Sequence, residues 1–406
     1  MQNGSCVESP GTLAEAHLPA DRGAAFTLRD LDVKDTAVLK GLAITAITLH
    51  NFFHVLGPAH QNEFTFNPAR FPVFLHTIVQ PSLAIQAFFT FFGHFGVQIF
   101  IFLSAFGLAK SHWDDQFTWP AFMWQRIKKL YPIFGLVVLP WLVIWFFGAG
   151  PQGFVKEVGI ETLLMLLGVS TLLGFELPNV GPWWFIPFIM QLYALWLPLR
   201  LLAKKTGWVG LVILALVCLG FIYLLNPLLF PLQINLLATP IGRMKSICFG
   251  IAAARYPIRI PGYLALASFI VLILGSAYYP VWPLTFLAVL IVSLWIYVAS
   301  RNTLRRIPLL ERLGRYSMLI FLLNGLVRLG FLPFATSPGT QLLYGAISAV
   351  ATFVCAAIIH EVFLVRLGLA APARKSRQKQ SDNVGEPASA EAARSEGSTA
   401  SGTEAG

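Results

Sequence analysis

The sequence repeatedly contains stretches of about 20 mostly apolar residues, the length that a helix needs to cross a lipid bilayer. Ten such stretches lie at residues 37–57, 85–109, 131–149, 182–202, 207–225, 237–254, 261–279, 281–299, 316–334 and 341–365. Of the 406 residues, 56% are hydrophobic and only 12% are charged, and a soluble chain could not cover that much apolar surface. The sequence therefore predicts an all-α, polytopic membrane protein, a bundle of about ten transmembrane helices.

The distribution of lysine and arginine predicts the topology. Five basic clusters are present, at 110–129, 200–205, 255–259, 301–315 and 366–379. Because basic loops are retained in the cytoplasm, an even number of crossings should separate neighbouring clusters. Only two crossings then fit between the first two clusters, so the apolar stretch 158–173 is predicted to be a re-entrant or interfacial element on the outer side. Its Glu161 is a candidate ligand-binding residue.

The two ends of the chain differ from the apolar middle. Residues 1–35 lack a secretory signal, and residues 367–406 are basic and then polar with almost nothing apolar. Such segments cannot offset the entropy of their own ordering. We therefore predict a disordered leader and a disordered tail, both cytoplasmic, around a ten-helix domain at 36–366. In this topology the net charge of +10 reflects cytoplasmic loops rather than nucleic-acid binding.

The first apolar stretch carries three ionisable side chains, Lys40, His50 and His54. Positions four apart are neighbours on a helix, which places the two histidines on one face. By the same geometry Lys40 points within about 80° of both, so all three could line one cavity. Ionisable groups inside a membrane-spanning helix usually face a cavity or a partner.

Two interpretations of these histidines fit the sequence. A neutral imidazole can remove the proton from a hydroxyl that attacks a thioester; alternatively, it can hydrogen-bond a neighbouring helix. A metal site is the weaker hypothesis, because no carboxylate or thiolate lies near the pair in sequence and the four cysteines form no CxxC pattern. No metal is predicted.

Five segments resemble, in order and spacing, the acyltransferase-3 family of membrane acyltransferases. They are LKGLAITAITLHNFFH (39–54), FGVQIFIFLSAFGLAKS (95–111), FMWQRIKKLYPIF (122–134), GPWWFIPFIMQLYALWLP (181–198) and LGRYSMLIFLLNGLV (313–327). The resemblance runs from about Lys34 to Arg366. It implies transfer of an acyl group, often acetyl, from cytoplasmic acyl-CoA to a hydroxyl of a cell-surface or exported glycan.

The resemblance also implies that the protein lies in the bacterial inner membrane with both termini in the cytoplasm. Its expected partners are membrane lipid, a glycan acceptor and, as candidates, polysaccharide-synthesis enzymes. No nucleic acid is expected to bind. His50 stands at the family's catalytic histidine and Lys40 where an arginine is usual. Nine residues separate the two instead of ten, so Asn51 takes the expected place. His54 is the second candidate base.

The remaining candidate residues follow from the same segments. The donor phosphates are predicted to meet Arg126, Lys128, Lys129 and Tyr131, although basic residues before a helix also set topology. Substrate contacts are predicted for Trp184, Gln191, Tyr193, Arg243 and Ser104. Arg243, with Lys245, could instead snorkel to the membrane surface. Ser104 could carry an acyl group, although membrane serines more often bond a helix carbonyl.

The chain departs from the family pattern at several positions, including Ala105 for glycine, Gln98 for aspartate and Asn324 for a late histidine. Two other functions therefore stay open. One is a transporter or flippase of a lipid-linked or amphiphilic substrate. The other is a catalytically inactive relative that serves a polysaccharide-synthesis complex.

Overall fold

The computed structural model describes residues 26–57, 61–174, 181–366 and 368. Every regular element in these ranges is helical. The α-helices are α1 (Val33–Phe53), α2 (Arg70–Ile78), α3 (Ala84–Phe92), α4 (Gly96–Ser111), α5 (Trp119–Phe154), α6 (Ile160–Leu166), α7 (Phe185–Leu229), α8 (Pro240–Arg255), α9 (Gly262–Ala277), α10 (Trp282–Leu304), α11 (Pro308–Leu329) and α12 (Pro338–Ile358). The all-α prediction is confirmed for this part of the chain.

Within the described ranges, six helical stretches have the length and composition to cross a membrane. They are Val33–Phe53, Ala84–Ser111, Trp119–Leu166, Pro182–Leu232, Trp282–Leu304 and Pro338–Leu364. Apolar helices of this kind make the chain a membrane protein. The larger number of about ten crossings stays a prediction, since α8, α9 and α11 do not meet the same criteria.

Helix α7 is 45 residues long but reverses direction at Gly207, whose φ of 65° is not helical. Trp184, just before α7, packs its ring on Phe64 at 4.8 Å. Asn235, just after α7, donates a hydrogen bond to the Phe64 carbonyl at 2.8 Å. Both ends of α7 therefore lie at one end of the bundle, and the predicted helices 182–202 and 207–225 are its two arms.

The basic clusters gather at the other end of the bundle, here called the basic end. Arg200 donates to the Asp115 carbonyl at 2.8 Å, and the Arg126 guanidinium bonds the His112 ring. Arg255 lies over the ring of Trp113 at 4.5 Å. Three clusters therefore converge on the loop between α4 and α5, as expected if they occupy one side of a membrane.

A fourth cluster is fixed at the same end by a buried carboxylate. Asp35 is fully buried and bonds Arg301 at 2.9 Å, Arg305 at 2.7 Å and the Tyr297 hydroxyl at 2.7 Å. Arg301 also lies 4.6 Å from the ring of Phe26. The start of α1 is thereby joined to the end of α10, because a buried charge must be paired.

The predicted leader is ordered over its last ten residues, which corrects its boundary. Leu28 is 2% exposed, and its amide donates to the Ile258 carbonyl at 2.8 Å. A short 3-10 helix spans Leu28–Asp30, and α1 begins at Val33. The apolar side chains here bury against the bundle, which composition averaged over 1–35 concealed. Residues 1–25, and the predicted tail apart from Gly368, lie outside the described residues.

The stretch after α5 turns back into the bundle. The Tyr131 hydroxyl bonds the Leu166 carbonyl, and Gln191 donates to the Gly168 carbonyl at 2.9 Å and to the Thr171 hydroxyl at 2.8 Å. Tyr131 and Gln191 lie within α5 and α7 rather than at the ends of these helices. This path has the shape expected of the predicted re-entrant element 158–173.

Helices α1 and α11 pack most closely at two glycines. A Cβ at Gly314 would lie 1.8 Å from the Ala37 carbonyl oxygen, and one at Gly41 would lie 2.1 Å from the Leu310 oxygen. Both obstacles are backbone atoms, which no rotamer change can move. The contact between α1, which carries the histidines, and α11 therefore depends on these glycines.

We expect Gly314→Ala to destabilise the protein by about 1–3 kcal/mol, because the two helices must separate to admit the methyl group. Gly107→Ala is the matched control, since a Cβ there meets nothing within 4 Å and alanine favours a helix by up to about 1 kcal/mol. Thermal unfolding in lipid nanodiscs measures both. Equal midpoints for the two variants would contradict the packing described.

Candidate active site

The two predicted histidines lie in a cavity of about 160 Å³, here called the histidine cavity. It lies between the C-terminal end of α1 and the N-terminal end of α4. His50 is 5% exposed, and the ring of His54 stacks on it with centroids 4.9 Å apart. His94 also lines the cavity, with its ring 5.4 Å from His50. Trp184 and Phe64 complete one wall.

The hydrogen bonding of His50 fixes the orientation of its ring. Its Nδ1 lies 3.0 Å from the Phe89 carbonyl oxygen. A carbonyl can only accept, so Nδ1 carries the hydrogen, and in the neutral ring Nε2 then carries the lone pair. An imidazole held in this tautomer can take a proton from a hydroxyl through Nε2.

Glycine permits the approach that creates this bond. A Cβ at Gly93 would lie 2.7 Å from the His50 Cβ and 2.8 Å from the Ala46 carbonyl oxygen. Gly93 begins a 3-10 turn, Gly93–Phe95, between α3 and α4. The turn therefore seats α3 and α4 directly against the face of α1 that carries His50.

Two residues that depart from the family pattern, Asn51 and Asn324, are hydrogen-bonded to each other. Asn51 donates from Nδ2 to the Asn324 Oδ1 at 2.7 Å. The Arg328 guanidinium bonds the Asn51 carbonyl. The two asparagines thus tie α1 to α11 beside His50, so the residue in the expected catalytic place has a structural role and His50 is the better candidate base.

A second cavity, of about 260 Å³, lies toward the basic end and is here called the donor cavity. It brings together five predicted residues: Lys40, Ser104, Arg126, Lys129 and Tyr193. The Arg126 guanidinium lies 5.3 Å from the Tyr193 ring. Three cationic groups around one opening suit an anionic ligand.

The structure separates Lys40 from the histidines, which corrects the expectation that all three line one cavity. Ten residues of α1 correspond to an axial distance of about 15 Å, and Lys40 lines the donor cavity instead. Angular position alone had placed them together. Ser104 is equally separated, and its hydroxyl donates to the Phe100 carbonyl at 2.7 Å, as the packing interpretation predicts.

Other predicted site residues lie outside these cavities. The Lys128 ammonium lies over the Trp124 ring at 5.1 Å. Tyr131 and Gln191 instead hold the re-entrant element through the hydrogen bonds given above. Arg243 is fully buried with its guanidinium 4.1 Å from the Phe286 ring, which excludes snorkelling, and it donates to the Glu63 carbonyl at 3.0 Å. It thereby positions a wall of the histidine cavity.

Another cavity, of about 600 Å³, is lined mostly by apolar side chains of α7 and α8 together with Lys245. It includes none of the three clustered histidines. Among the described residues, no group of three or more histidine, cysteine or acidic side chains could hold a metal ion.

The cavities adjoin one another in series. Phe321 belongs to the walls of both the donor cavity and the histidine cavity. On its other side the histidine cavity shares Asn62 and Phe64 with a polar cavity of about 420 Å³, here called the outer cavity. A ligand at the basic end and a ligand at the opposite end could therefore both approach His50.

The sequence interpretation missed Phe321, Asn62 and Phe64. A single phenylalanine among 34 in the chain gives no signal of its own. The loop after α1 did give a signal, because polar side chains such as Asn62 follow closely on the helix that carries the histidines. Arg328 also gave a signal, as a charge within the predicted apolar stretch 316–334.

Comparison with known families settles the relationship that these segments suggested. A family model described as an acyltransferase domain, Acyl_transf_3, matches residues 34–361. The chain belongs to the acyltransferase-3 family. No curated protein and no solved structure matches it.

Membership assigns this acyltransferase-3 protein to the membrane acyltransferases. The matched range begins inside α1 and ends after α12, so it contains the histidine, donor and outer cavities together. All the cavity residues named above therefore belong to the acyltransferase domain.

Proposed function

We propose that the protein transfers an acyl group, acetyl, from cytoplasmic acyl-CoA to a hydroxyl of a cell-surface or exported glycan. In this proposal the basic end faces the cytoplasm of a bacterium, about ten helices cross the inner membrane, and both termini are cytoplasmic. The observation that carries it is the position of His50. Its oriented imidazole lies in a cavity that adjoins the cationic donor cavity on one side and the polar outer cavity on the other.

The donor cavity suits acyl-CoA. Phosphate groups would bind Arg126 and Lys129 near the basic end, and Lys40 adds a third positive charge deeper along α1. The thioester would then extend past Phe321 toward His50. This route requires no contact from Lys128, which lies outside the cavity.

The proposed reaction needs a single group that acts first as a base and then as an acid. His50 Nε2 removes the proton of the acceptor hydroxyl as its oxygen bonds the thioester carbonyl carbon. The carbon–sulfur bond then breaks, and the sulfur of CoA takes the proton from the imidazolium. The products are an O-acyl ester and free CoA. Direct transfer accounts for the placement of Ser104, whose hydroxyl lies in the donor cavity rather than beside His50.

Incubation of the purified protein in nanodiscs with radiolabelled acetyl-CoA and a glycan extract tests the proposal. Label recovered in the glycan, with release of free CoA, supports it. Movement of a substrate across vesicles without thioester cleavage would indicate a transporter or flippase instead. Neither transfer nor cleavage, with retained binding to polysaccharide-synthesis enzymes, would indicate an inactive partner.

Phe321 is expected to limit the length of the acyl chain. The histidine cavity holds only about 160 Å³, and the Phe321 ring, 5% exposed, stands where the chain must enter. We expect Phe321→Ala to raise the octanoyl-to-acetyl ratio of kcat/KM about tenfold, since discrimination by pocket size is worth about 1–3 kcal/mol. Phe353→Ala, in α12, is the control for loss of an aromatic side chain. An unchanged ratio in Phe321→Ala would contradict the placement of the acyl chain.

A further inference from the structure

The outer cavity lies beyond the histidine cavity, on the side away from the donor. Its walls come from the loop after α1, the re-entrant element and the loop between α7 and α8. The volume of about 420 Å³ lies within the range of about 300–1,000 Å³ that is typical of small-molecule sites. A group seated in it could present a hydroxyl to His50 past the shared residues Asn62 and Phe64.

The walls are held in place by hydrogen bonds and by close backbone contact. Asn62 Oδ1 accepts from the amides of Phe64 at 2.9 Å and Thr65 at 2.8 Å. Gly174, with φ 72°, approaches the Gln233 carbonyl so closely that a Cβ would lie 1.8 Å from its oxygen. The cavity is therefore a built feature of two loops rather than an accidental gap.

One wall presents an unused hydrogen-bond acceptor. The Glu161 Oε2 is buried and has no hydrogen-bond partner among the described residues. A buried carboxylate oxygen without a donor is costly, so a ligand that supplies a hydroxyl would be stabilised there. Gln233 and the Nδ2 of Asn62 add amide groups to the same lining.

The charge of the lining restricts the ligand further. Glu161 is the one charged side chain among the described residues that line the cavity, and neither lysine nor arginine contributes. A carboxylate or phosphate on the ligand would be repelled by Glu161 and would meet no cation. Hydroxyl groups, in contrast, can both donate to Glu161 and accept from the amides.

We propose that the outer cavity is the acceptor subsite and that it selects an uncharged, hydroxyl-rich sugar over an acidic one, with Glu161 and Gln233 as specificity-determining residues. This inference rests on the proposed function, because the sugar is the group that receives the acyl chain. It adds where the acceptor binds and that neutral sugars are preferred over acidic ones.

A transfer assay tests the selectivity. Nanodisc-embedded protein receives acetyl-CoA with p-nitrophenyl β-glucoside or p-nitrophenyl β-glucuronide. We expect wild type to prefer the neutral glycoside at least about tenfold in kcat/KM, the effect of one unfavourable charge contact. Glu161→Gln should reduce this preference, and Gln233→Gly, which keeps the left-handed backbone, should raise the KM for the glucoside without changing the KM for acetyl-CoA.

Glu157→Gln is the matched control, because Glu157 is exposed, lies one turn before Glu161 and does not line the cavity. Variants at 161 and 233 that behave like Glu157→Gln would overturn the subsite while leaving acyl transfer established. Wild type that consumes acetyl-CoA and acetylates the glucuronide as well as the glucoside would also overturn it.

A second measurement does not depend on catalysis. Phe230 lines the cavity and is 47% exposed, so Phe230→Cys should react with thiol reagents added on the outer side. We expect a cationic methanethiosulfonate to react faster than an anionic one, and Glu161→Gln to reduce that rate ratio severalfold. A ratio that Glu161→Gln leaves unchanged would overturn the charge selection. If no acyl transfer is found, the proposed function fails and this ratio still decides the character of the cavity.

Discussion

Replacement of His50 by alanine is expected to lower acyl transfer by about 10²–10⁴-fold, the usual contribution of a general base. The reason is geometric: His50 Nδ1 is held by the Phe89 carbonyl, which leaves Nε2 to receive the hydroxyl proton. The KM for acetyl-CoA should change little, because the proposed binding site of the donor is a different cavity. Steady-state kinetics with radiolabelled acetyl-CoA separates the two parameters.

Two histidine variants serve as comparisons. His54→Ala removes the ring stacked on His50 and should lower the rate less than about tenfold, since the hydrogen bond from His50 Nδ1 to the Phe89 carbonyl persists. His76→Ala removes an exposed histidine of α2 and should have no effect. Full activity of His50→Ala together with an inactive His54→Ala would show that His54 is the base.

Replacement of Arg126 by alanine is expected to raise the KM for acetyl-CoA about tenfold to a hundredfold, the value of a hydrogen bond to a charged group. Arg126 lines the donor cavity, whereas Lys128, two residues later, lies over the Trp124 ring outside it. Lys128→Ala should therefore leave the KM unchanged. This contrast separates phosphate binding from a general effect of positive charge on topology.

The same pair of variants can refute the assignment. Equal increases in KM for Arg126→Ala and Lys128→Ala would mean that the donor meets the whole basic surface rather than this cavity. An effect on kcat alone in Arg126→Ala would mean that the cavity binds something other than the donor. Low ionic strength should be used for both, because salt screens exposed charges.

Much of the fold could be predicted because the length and hydropathy of an apolar stretch can be read from the local sequence, and they determine whether that stretch forms a long apolar helix. All ten predicted apolar stretches fall largely on helices, and the reversal within α7 lies at Gly207, where two predicted helices met. The leader boundary could not be predicted this way. Leu28 is ordered through tertiary contacts with Ile258, which no local composition reports.

The candidate site was only partly predictable for a related reason. His50 and His54 could be placed together because four residues on one helix fix their separation. The prediction that Lys40 shares a cavity with the histidines was wrong, because the angle of a residue around a helix says nothing about its position along the helix axis. In addition, Phe321 of α11 separates the two cavities. Tyr131 and Gln191, assigned to ligands by resemblance, hydrogen-bond the re-entrant element: Tyr131 bonds the Leu166 carbonyl, and Gln191 bonds the Gly168 carbonyl and the Thr171 hydroxyl. A sequence motif cannot reveal these partners, because they come from another part of the chain.

The most direct test of the central claim is a sided assay in membrane vesicles of one orientation. If acyl groups pass from the basic end to the outer side through His50, radiolabelled acetyl-CoA supplied only to the face that carries Arg126 should label glycan on the opposite face. His50→Ala vesicles should then give no label above background. Equal labelling from either face, or undiminished labelling by His50→Ala, would contradict the account.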